Sequence, residues 1–568
     1  MRWNALKWTC EPTVKVQTDA YTLELLGDRP AAKVWDAQGR LMAELFLLSS
    51  CHTLGGRDVS SRVTPWRAEE RDGNVILSCQ ADSLLWAQKT VVVTLQEDRI
   101  LYRMTVEGQG ALGDVELLSG YYTGSNARWS NARFYSGFHG DSLFNPEPDG
   151  WEQYAVSVQE RSLIDMTGVP IPGRDHWFFT PPPFCFVLRN GPTCMTLGVA
   201  AQPGRHTFTE CEYTGGRGQG LTLRYEGYTT VEGCYDLPEV HMIFGQDEYA
   251  LLGRFSEAER LSAPPAERFD WWETPIFCGW GAQSALSQSY GKPAPALAYQ
   301  KFYEDFTNAL DEKNIQPGII VIDDKWQKAY GLNNVDEEKW PDMKGFIRAM
   351  HQKGRRVLLW LKAWDPEGVD PSLCIRDFTG AAQAIDPQNP GYLALFAGAC
   401  RNMLSPEGLD ADGFKIDFTA RIPSCPGCQR SGDHWGLELM RDYLAMVRDN
   451  AKAVKRDALV MCHCPHPYLA DKLDMIRLND INTGRPVCEQ MLHRARLVRA
   501  VMPDKLIDTD NWPMPDKASW LSYVRLQPEL GVPSLYYLWH MDNSPEAISE
   551  QDLDVVRQSW ARWRERRG

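Results

Sequence analysis

Lys415 and Asp417 stand two residues apart in "GFKIDFTARIP", a stretch that otherwise reads as a buried strand. Alternate residues of a strand face the same side, so the two side chains can converge on one ligand. Other apolar runs finish in the same way: one in Asp323 and Asp324, one in Asp480 and one in Asp508 and Asp510. Trp280, Trp326, Trp360, Trp364 and Trp512 lie at or just after the ends of such runs. Carboxylates bind hydroxyls and transfer protons, and aromatic faces cover the apolar side of a pyranose, so this set has the make-up of a sugar site. Aspartate is also a favoured N-cap, and loops entering helices often end in one, so capping stands beside function for each single aspartate. For Asp417 the same-face lysine adds weight to function, because a nearby cation lowers a carboxyl pKa and keeps it ionised. For Asp480, preceded by Arg477 and Asn479, an ion pair is the alternative role.

Eight apolar runs would have to position these groups: "PIFCGWG", "GIIVID", "RRVLLWLK", "GFKIDF", "ALVMCHC", "MIRLND", "KLIDTD" and "SLYYLW". Between them lie segments of helical spacing, such as "AYQKFYEDFTNALDEKN" and "GLELMRDYLAMVRDNAKAVKR". Eight such units in about 300 residues predict a (β/α)8 barrel, a fold whose active sites sit at the C-terminal ends of the strands. Upstream, to Leu261, segments such as "NVILSCQADSLLWAQKTVVVTLQEDRILYRMTVEGQG" alternate with period two between turn residues. That pattern predicts an antiparallel β-sandwich. Pro264 and Pro265 in "SAPPAERFDWWETP" break it, which places the sandwich in residues 1–265 and the barrel in 266–568.

Bulk properties narrow the function classes. A chain of 568 residues with 43% hydrophobic and 24% charged residues fits a multidomain globular protein. The net charge of −15 argues against a nucleic acid or an anionic membrane as partner. The N-terminus, "MRWNALKWTCEPTVKV", carries no apolar core with a small-residue cleavage site, so no secretion signal is expected. Fifteen cysteines at irregular spacing suit a reduced, cytoplasmic protein. Cys425 and Cys428 in "CPGC" and Cys462 and Cys464 in "CHC" have ligand types that zinc accepts, but not zinc-finger spacing, and read as ordinary thiols. No metal and no cofactor is expected. The oligomeric state is left open, a homo-oligomer included.

"IIVIDDKWQ", followed by "DEEKWPDMKGFIRAMHQKGRRVLLWL", resembles the second and third barrel strands of retaining α-glycosidases of the α-galactosidase clan, glycoside hydrolase families 27, 31 and 36. "DGFKIDFTARIP" is similar to the strand that carries the nucleophile in families 31 and 36. The resemblance covers roughly residues 275–545. It implies that Asp417, on the fourth strand, is the nucleophile and Asp480, on the sixth, the acid/base, with Asp510 in reserve. It further implies that Asp323, Asp324 and Lys415 hold sugar hydroxyls; Arg477 and the tryptophans are expected to line the site from their places at the strand ends. The implied substrate is a small oligosaccharide or other glycoside, most like an α-galactoside. Transglycosylation, family-31-like α-glucosidase, α-xylosidase or sulfoquinovosidase activity, and sugar binding without catalysis are the alternatives.

Departures from the pattern carry expectations of their own. Lys325 replaces the glycine of the usual Asp-Asp-Gly-Trp turn. Lys362 stands where family 36 commonly has a glutamate, so it either favours an acidic or sulfonated sugar or pairs with a neighbouring aspartate. "RLNDINTGR" lacks the family forms of the sixth strand, and His463 either touches substrate or packs inside. The chain ends soon after the eighth run, so the C-terminal β-domain common in families 31 and 36 is expected to be missing or reduced.

Overall fold

The structure, a computed structural model, describes residues 7–9, 13–27, 30–122, 143–144, 178–179, 184–214, 220–260, 267–419, 422–423, 427–481, 483–484, 486–544 and 546–567. Two compact units divide them. One holds the described residues up to 144, residues 184–260 and Asp433–Glu438; the other holds Phe178–Phe179, residues 267–432 and those from Leu439 onward.

The first unit is antiparallel β-structure. A five-stranded meander runs in chain order from Lys7–Thr9 to Leu41–Phe46. A larger sheet is organised by the 19-residue strand Arg99–Leu117, which pairs with Gln88–Leu95, Thr230–Asp236 and Glu239–Gly245 among others. Period-two sequences give period-two burial: in Gln88–Leu95 every second side chain is buried, Val91, Val93 and Leu95 among them. These residues join Leu23, Val34 and Phe46 of the meander in one apolar core.

The second unit is the barrel. Its parallel strands are β1 (Ile276–Cys278), β2 (Ile319–Ile322), β3 (Arg356–Lys362), β4 (Gly413–Asp417), β5 (Leu459–Cys462), β6 (Met475–Arg477), β7 (Leu506–Asp508) and β8 (Ser534–Leu535). They pair in the order β7-β6-β5-β4-β3-β2-β1-β8, so all eight predicted runs are strands. Closure between β7 and β8 is made just ahead of β8, where the Val532 N–H donates to the Ile507 carbonyl at 2.7 Å and the Thr509 N–H to the Val532 carbonyl at 3.1 Å. The strands are buried on both faces, which is why they read as continuous apolar runs rather than alternating ones.

Helices cover the outside: α1 (Trp280–Tyr290), α2 (Gln300–Glu312), α3 (Met343–Gln352), α4 (Pro390–Leu404), α5 (Gly436–Val454), α6 (Val487–Val501), α7 (Lys517–Leu530) and α8 (Glu550–Glu565). Helix α3 shows why: Met343, Phe346, Ile347 and Met350 form a one-sided buried stripe, and Asp342 caps its start by accepting from the Gly345 N–H at 2.9 Å. Between β5 and β6 the chain makes only a 3-10 turn, Pro467–Lys472.

Strand β4 opens on Gly413, whose φ of +148° lies outside the range of L-residues. A Cβ there would stand 2.1 Å from the Leu459 carbonyl oxygen on β5. Gly413→Ala is therefore expected to destabilise the barrel by about 2–3 kcal/mol, read as a lower urea midpoint at unchanged slope.

Candidate active site

Five turns that leave the barrel strands contain a non-glycine residue of positive φ. Lys325 (72°) follows β2, Trp364 (68°) β3, Phe418 (58°) β4, Asn479 (64°) β6 and Asp510 (52°) β7. Each costs on the order of 1 kcal/mol, and their concentration at one end of one barrel makes that end the candidate site. Lys325 thus keeps the left-handed backbone that a glycine would adopt freely, and its ammonium is held by Glu367 Oε2 at 2.5 Å. Asp324, Asp417 and Asp480 each stand next to one of these residues, Lys325, Phe418 and Asn479.

The group that joins Asp417 and Asp480 is Arg477, at the end of β6 and 1% exposed. Its Nη2 donates to Asp417 Oδ1 at 2.9 Å and to Asn479 Oδ1 at 2.7 Å. Its Nη1 donates to Asp480 Oδ1 at 2.9 Å and to Asp510 Oδ2 at 2.6 Å. One planar guanidinium therefore holds three carboxylates, and keeps the bonded oxygens of Asp417 and Asp480 within about 8 Å of each other.

The three carboxylates differ in access and in charge preference. Asp510 is fully buried; its Oδ1 accepts from the backbone N–H groups of Asn511 and Trp512, so both oxygens are occupied by protein donors. Asp417 and Asp480 keep 24% and 38% of their side chains exposed. Burial acts to raise the pKa of Asp417, but the Arg477 charge, assisted by Lys415 and the Phe418 N–H, outweighs it and holds the group well below the usual carboxylate range. At Asp480 burial wins: despite Arg477, the charges of Asp417 and Asp510 help push it up to about 6. Two carboxylates on one cation are thereby driven in opposite directions.

Lys415 makes its contact elsewhere than on Asp417. Its Nζ donates to Asp323 Oδ2 at 2.7 Å, with Cys278 Sγ at 3.4 Å and the Tyr536 hydroxyl at 3.5 Å. Strand geometry puts Lys415 and Asp417 on one side, as expected, but the long lysine stem reaches across to β2. Asp323 is buried and braced by its own backbone N–H, which donates to the Tyr303 hydroxyl at 2.7 Å. Asp324 accepts from the Tyr330 hydroxyl at 2.6 Å, and burial raises it to about 6. His463, at the end of β5, is buried 3.7 Å from Asp417; burial and then Arg477 lower it to about 3, so it is neutral.

Not every tryptophan reaches the opening. Trp326, Trp360 and Trp364 are at most 1% exposed and leave almost no ring face for a sugar. Trp326 donates to the Trp360 carbonyl, Trp364 donates to the Thr419 carbonyl, and Trp360 donates to Asp417 Oδ2 at 3.3 Å. Trp280 and Trp512 are half-buried and pack edge to face at 5.6 Å. Sequence reasoning missed Cys278, Tyr330 and Tyr536; Cys278 and Tyr536 stand at strand ends, in "PIFCGWG" and "SLYYLW", which was the available signal. Cys462 and Cys464 are free thiols, whereas Cys425 of the "CPGC" pair lies outside the described residues. No group of three or more metal-binding side chains is arranged around a common point among the described residues.

The fold is shared with an α-galactosidase from Thermus thermophilus in complex with stachyose, at 15% identity and a TM-score of 0.51, covering 87% of this chain and 99% of that one. It is shared too with a glycoside hydrolase family 97 enzyme from Pseudoalteromonas sp. strain K8 in complex with acarbose, at 10% identity and a TM-score of 0.55, covering 96% of this chain and 82% of that one. The likeness is one of fold. In sequence, the chain is 22% identical over 206 residues to the α-xylosidase XylQ of Lactiplantibacillus pentosus, a match to 33% of this chain that spans about a quarter (24%) of that relative's length. No protein-family model matches. Among the described residues no helix is long and apolar enough to cross a membrane.

Proposed function

We propose that this protein is a retaining α-glycoside hydrolase, most like an α-galactosidase, acting in the cytoplasm on small oligosaccharides or glycosides. In this reading the barrel of residues 266–568 carries the chemistry and the sandwich of 1–265 precedes it. The observation that carries the proposal is the sharing of Arg477 by two open carboxylates with opposite pKa displacements. A pair of acids whose environments drive them apart is the electrostatic requirement for one nucleophile and one proton donor.

Asp417, ionised throughout the working range, attacks the anomeric carbon while Asp480 gives its proton to the departing oxygen. The sugar is then carried on Asp417 as an ester until Asp480, now a base, takes a proton from the attacking water. Asp324, Asp323 and Lys415 hold hydroxyls on the β2 side. The test is a panel of 4-nitrophenyl α- and β-glycosides, with the first-formed anomer followed by NMR. Release of the α-anomer from an α-glycoside supports the covalent route; first release of the β-anomer overturns it.

The match to an α-xylosidase favours α-xyloside hydrolysis as a second reading, which the same panel separates. Transglycosylation is separated by product analysis with added acceptor sugar. A binding-only role is the weaker reading, since Asp480 is left open and raised to about 6, a state suited to proton transfer.

The pH profile follows from the same groups. kcat/KM is expected to fall on the alkaline side with an apparent pKa near 6, as Asp480 loses its proton, and the acid limb to lie well below the usual carboxylate range. Asp324 also titrates near 6, so the Asp480→Asn profile tells them apart. That variant should lose the alkaline limb along with roughly 10²–10⁴-fold in rate on glycosides with poor leaving groups.

A further inference from the structure

Lys362 ends β3, and its backbone is in register with Asp417 on β4; the next N–H, of Ala363, donates to the Asp417 carbonyl at 3.0 Å. Its ammonium lies 2.8 Å from Asp365 Oδ2, 4.4 Å from the centre of the Tyr330 ring and 5.5 Å from that of Phe418. The pair is only partly covered, with 28% of the lysine side chain and 20% of the aspartate side chain exposed. Its charge acts on Asp324, which accepts from Tyr330, so the pair lies within electrostatic reach of the opening. Asp365 Oδ1 accepts from the Glu367 N–H at 3.0 Å, and the exposed minority of the pair presents the Lys362 donor and Asp365 Oδ2 side by side, next to a candidate nucleophile.

The surrounding charges decide what such a pair can read. Among the described residues Lys325, Lys362, Lys415 and Arg477 each meet at least one carboxylate, and Arg477 meets three, while Lys339 donates to the Lys325 and Pro295 carbonyls instead. Asp324 adds a further carboxylate. To be held by Lys325, Lys362, Lys415 or Arg477, an anionic sugar would have to displace a carboxylate from its cation. A neutral sugar meets no such barrier, because its hydroxyls donate to the aspartate and accept from the lysine.

We propose that the Lys362–Asp365 pair is a specificity element of this site, reading two neighbouring hydroxyls of a neutral pyranoside and excluding sugars that carry a carboxylate or sulfonate. The proposal rests on the glycosidase reading and adds the substrate class. Asp365 is the excluding member: it both compensates Lys362 and repels an anion. Removing its charge leaves an uncompensated ammonium at the opening, the arrangement that favours an acidic sugar.

The experiment compares wild type, Lys362→Met and Asp365→Asn on 4-nitrophenyl α-galactoside, α-glucoside and α-xyloside, on α-galacturonide and α-glucuronide, and on monodeoxy forms of the best neutral substrate. Lys362→Met is expected to lower kcat/KM on that substrate roughly 10–100-fold, a loss of hydrogen bonding to substrate hydroxyls. It should also erase the penalty that one or two monodeoxy substrates show with wild type, which a merely structural loss would leave in place. Asp365→Asn is expected to raise the uronide-to-neutral ratio of kcat/KM by about tenfold or more. Thermal melting identifies any variant that fails to fold, and the Asp365→Asn ratio, taken within one protein, is independent of the folded fraction. If wild type cleaves a neutral glycoside while the deoxy pattern and the uronide ratio are the same in all three proteins, the pair is not a specificity element and the glycosidase reading stands. Preference of wild type for a uronide also overturns the proposal. If wild type cleaves none of the glycosides, both readings fall together.

Discussion

Replacing Asp417 with alanine is expected to lower glycoside turnover by roughly 10⁴-fold or more, since the group proposed to form the covalent bond is gone. The fold should survive, because Arg477 keeps Asp480 and Asp510 as partners and the carboxylate removed was partly exposed. Thermal melting within a few degrees of wild type would establish that the loss is chemical. Azide, small enough to enter the vacated volume, should restore turnover with an activated α-glycoside and leave a glycosyl azide of inverted configuration. Full activity in Asp417→Ala, or a retained azide product, would remove the residue from the proposed mechanism.

The second large effect is expected at Arg477. Arg477→Met preserves length and apolar bulk but leaves the buried carboxylate of Asp510 and its neighbours Asp417 and Asp480 without their cation. Breaking a buried ion pair by removing one partner typically costs about 3–5 kcal/mol. The loss should depend on pH with a definite sign. Without the cation, the buried carboxylates titrate above their unfolded value of about 3.9, so the folded state binds more protons. Stability of Arg477→Met should therefore be best preserved in acid and lost as pH rises through the raised folded values. Urea denaturation at pH 5 and pH 8 reads this directly. A variant as stable as wild type at both values would mean that the guanidinium is not what holds the three acids together. Activity should fall with it, because Asp417 would no longer stay ionised at the pH where Asp480 is protonated.

The barrel was legible because parallel strands covered on both faces must be apolar throughout, and "GIIVID" and "RRVLLWLK" could serve few other purposes. The sandwich was legible for the converse reason, since half-buried strands alternate, as Gln88–Leu95 does. The polar ends of the runs were visible too: Asp323, Asp324, Asp417 and Asp480 each break an apolar stretch where a barrel opens. Burial was less visible. Tryptophans at strand ends look alike in sequence, yet Trp280 and Trp512 are half-buried, whereas Trp326, Trp360 and Trp364 are packed away.

Sequence alone determined which residues could meet, because strand number and strand polarity follow from local pattern and send every strand end to one side of the barrel. Tertiary structure decided who pairs with whom. Lys415, two residues from Asp417, bonds to Asp323, 92 positions away, while Asp417 takes its charge partner from Arg477, 60 positions away. Lys362, free to be an anion receptor in sequence, is compensated by Asp365. The physical reason is that a long cationic side chain reaches past the neighbouring strand, from β4 to the end of β2 and from β6 to the end of β4, and settles on whichever carboxylate is desolvated within its reach. That distance is set by the closed barrel and by left-handed turns such as those at Phe418 and Asn479, and neither is written in the order of the residues.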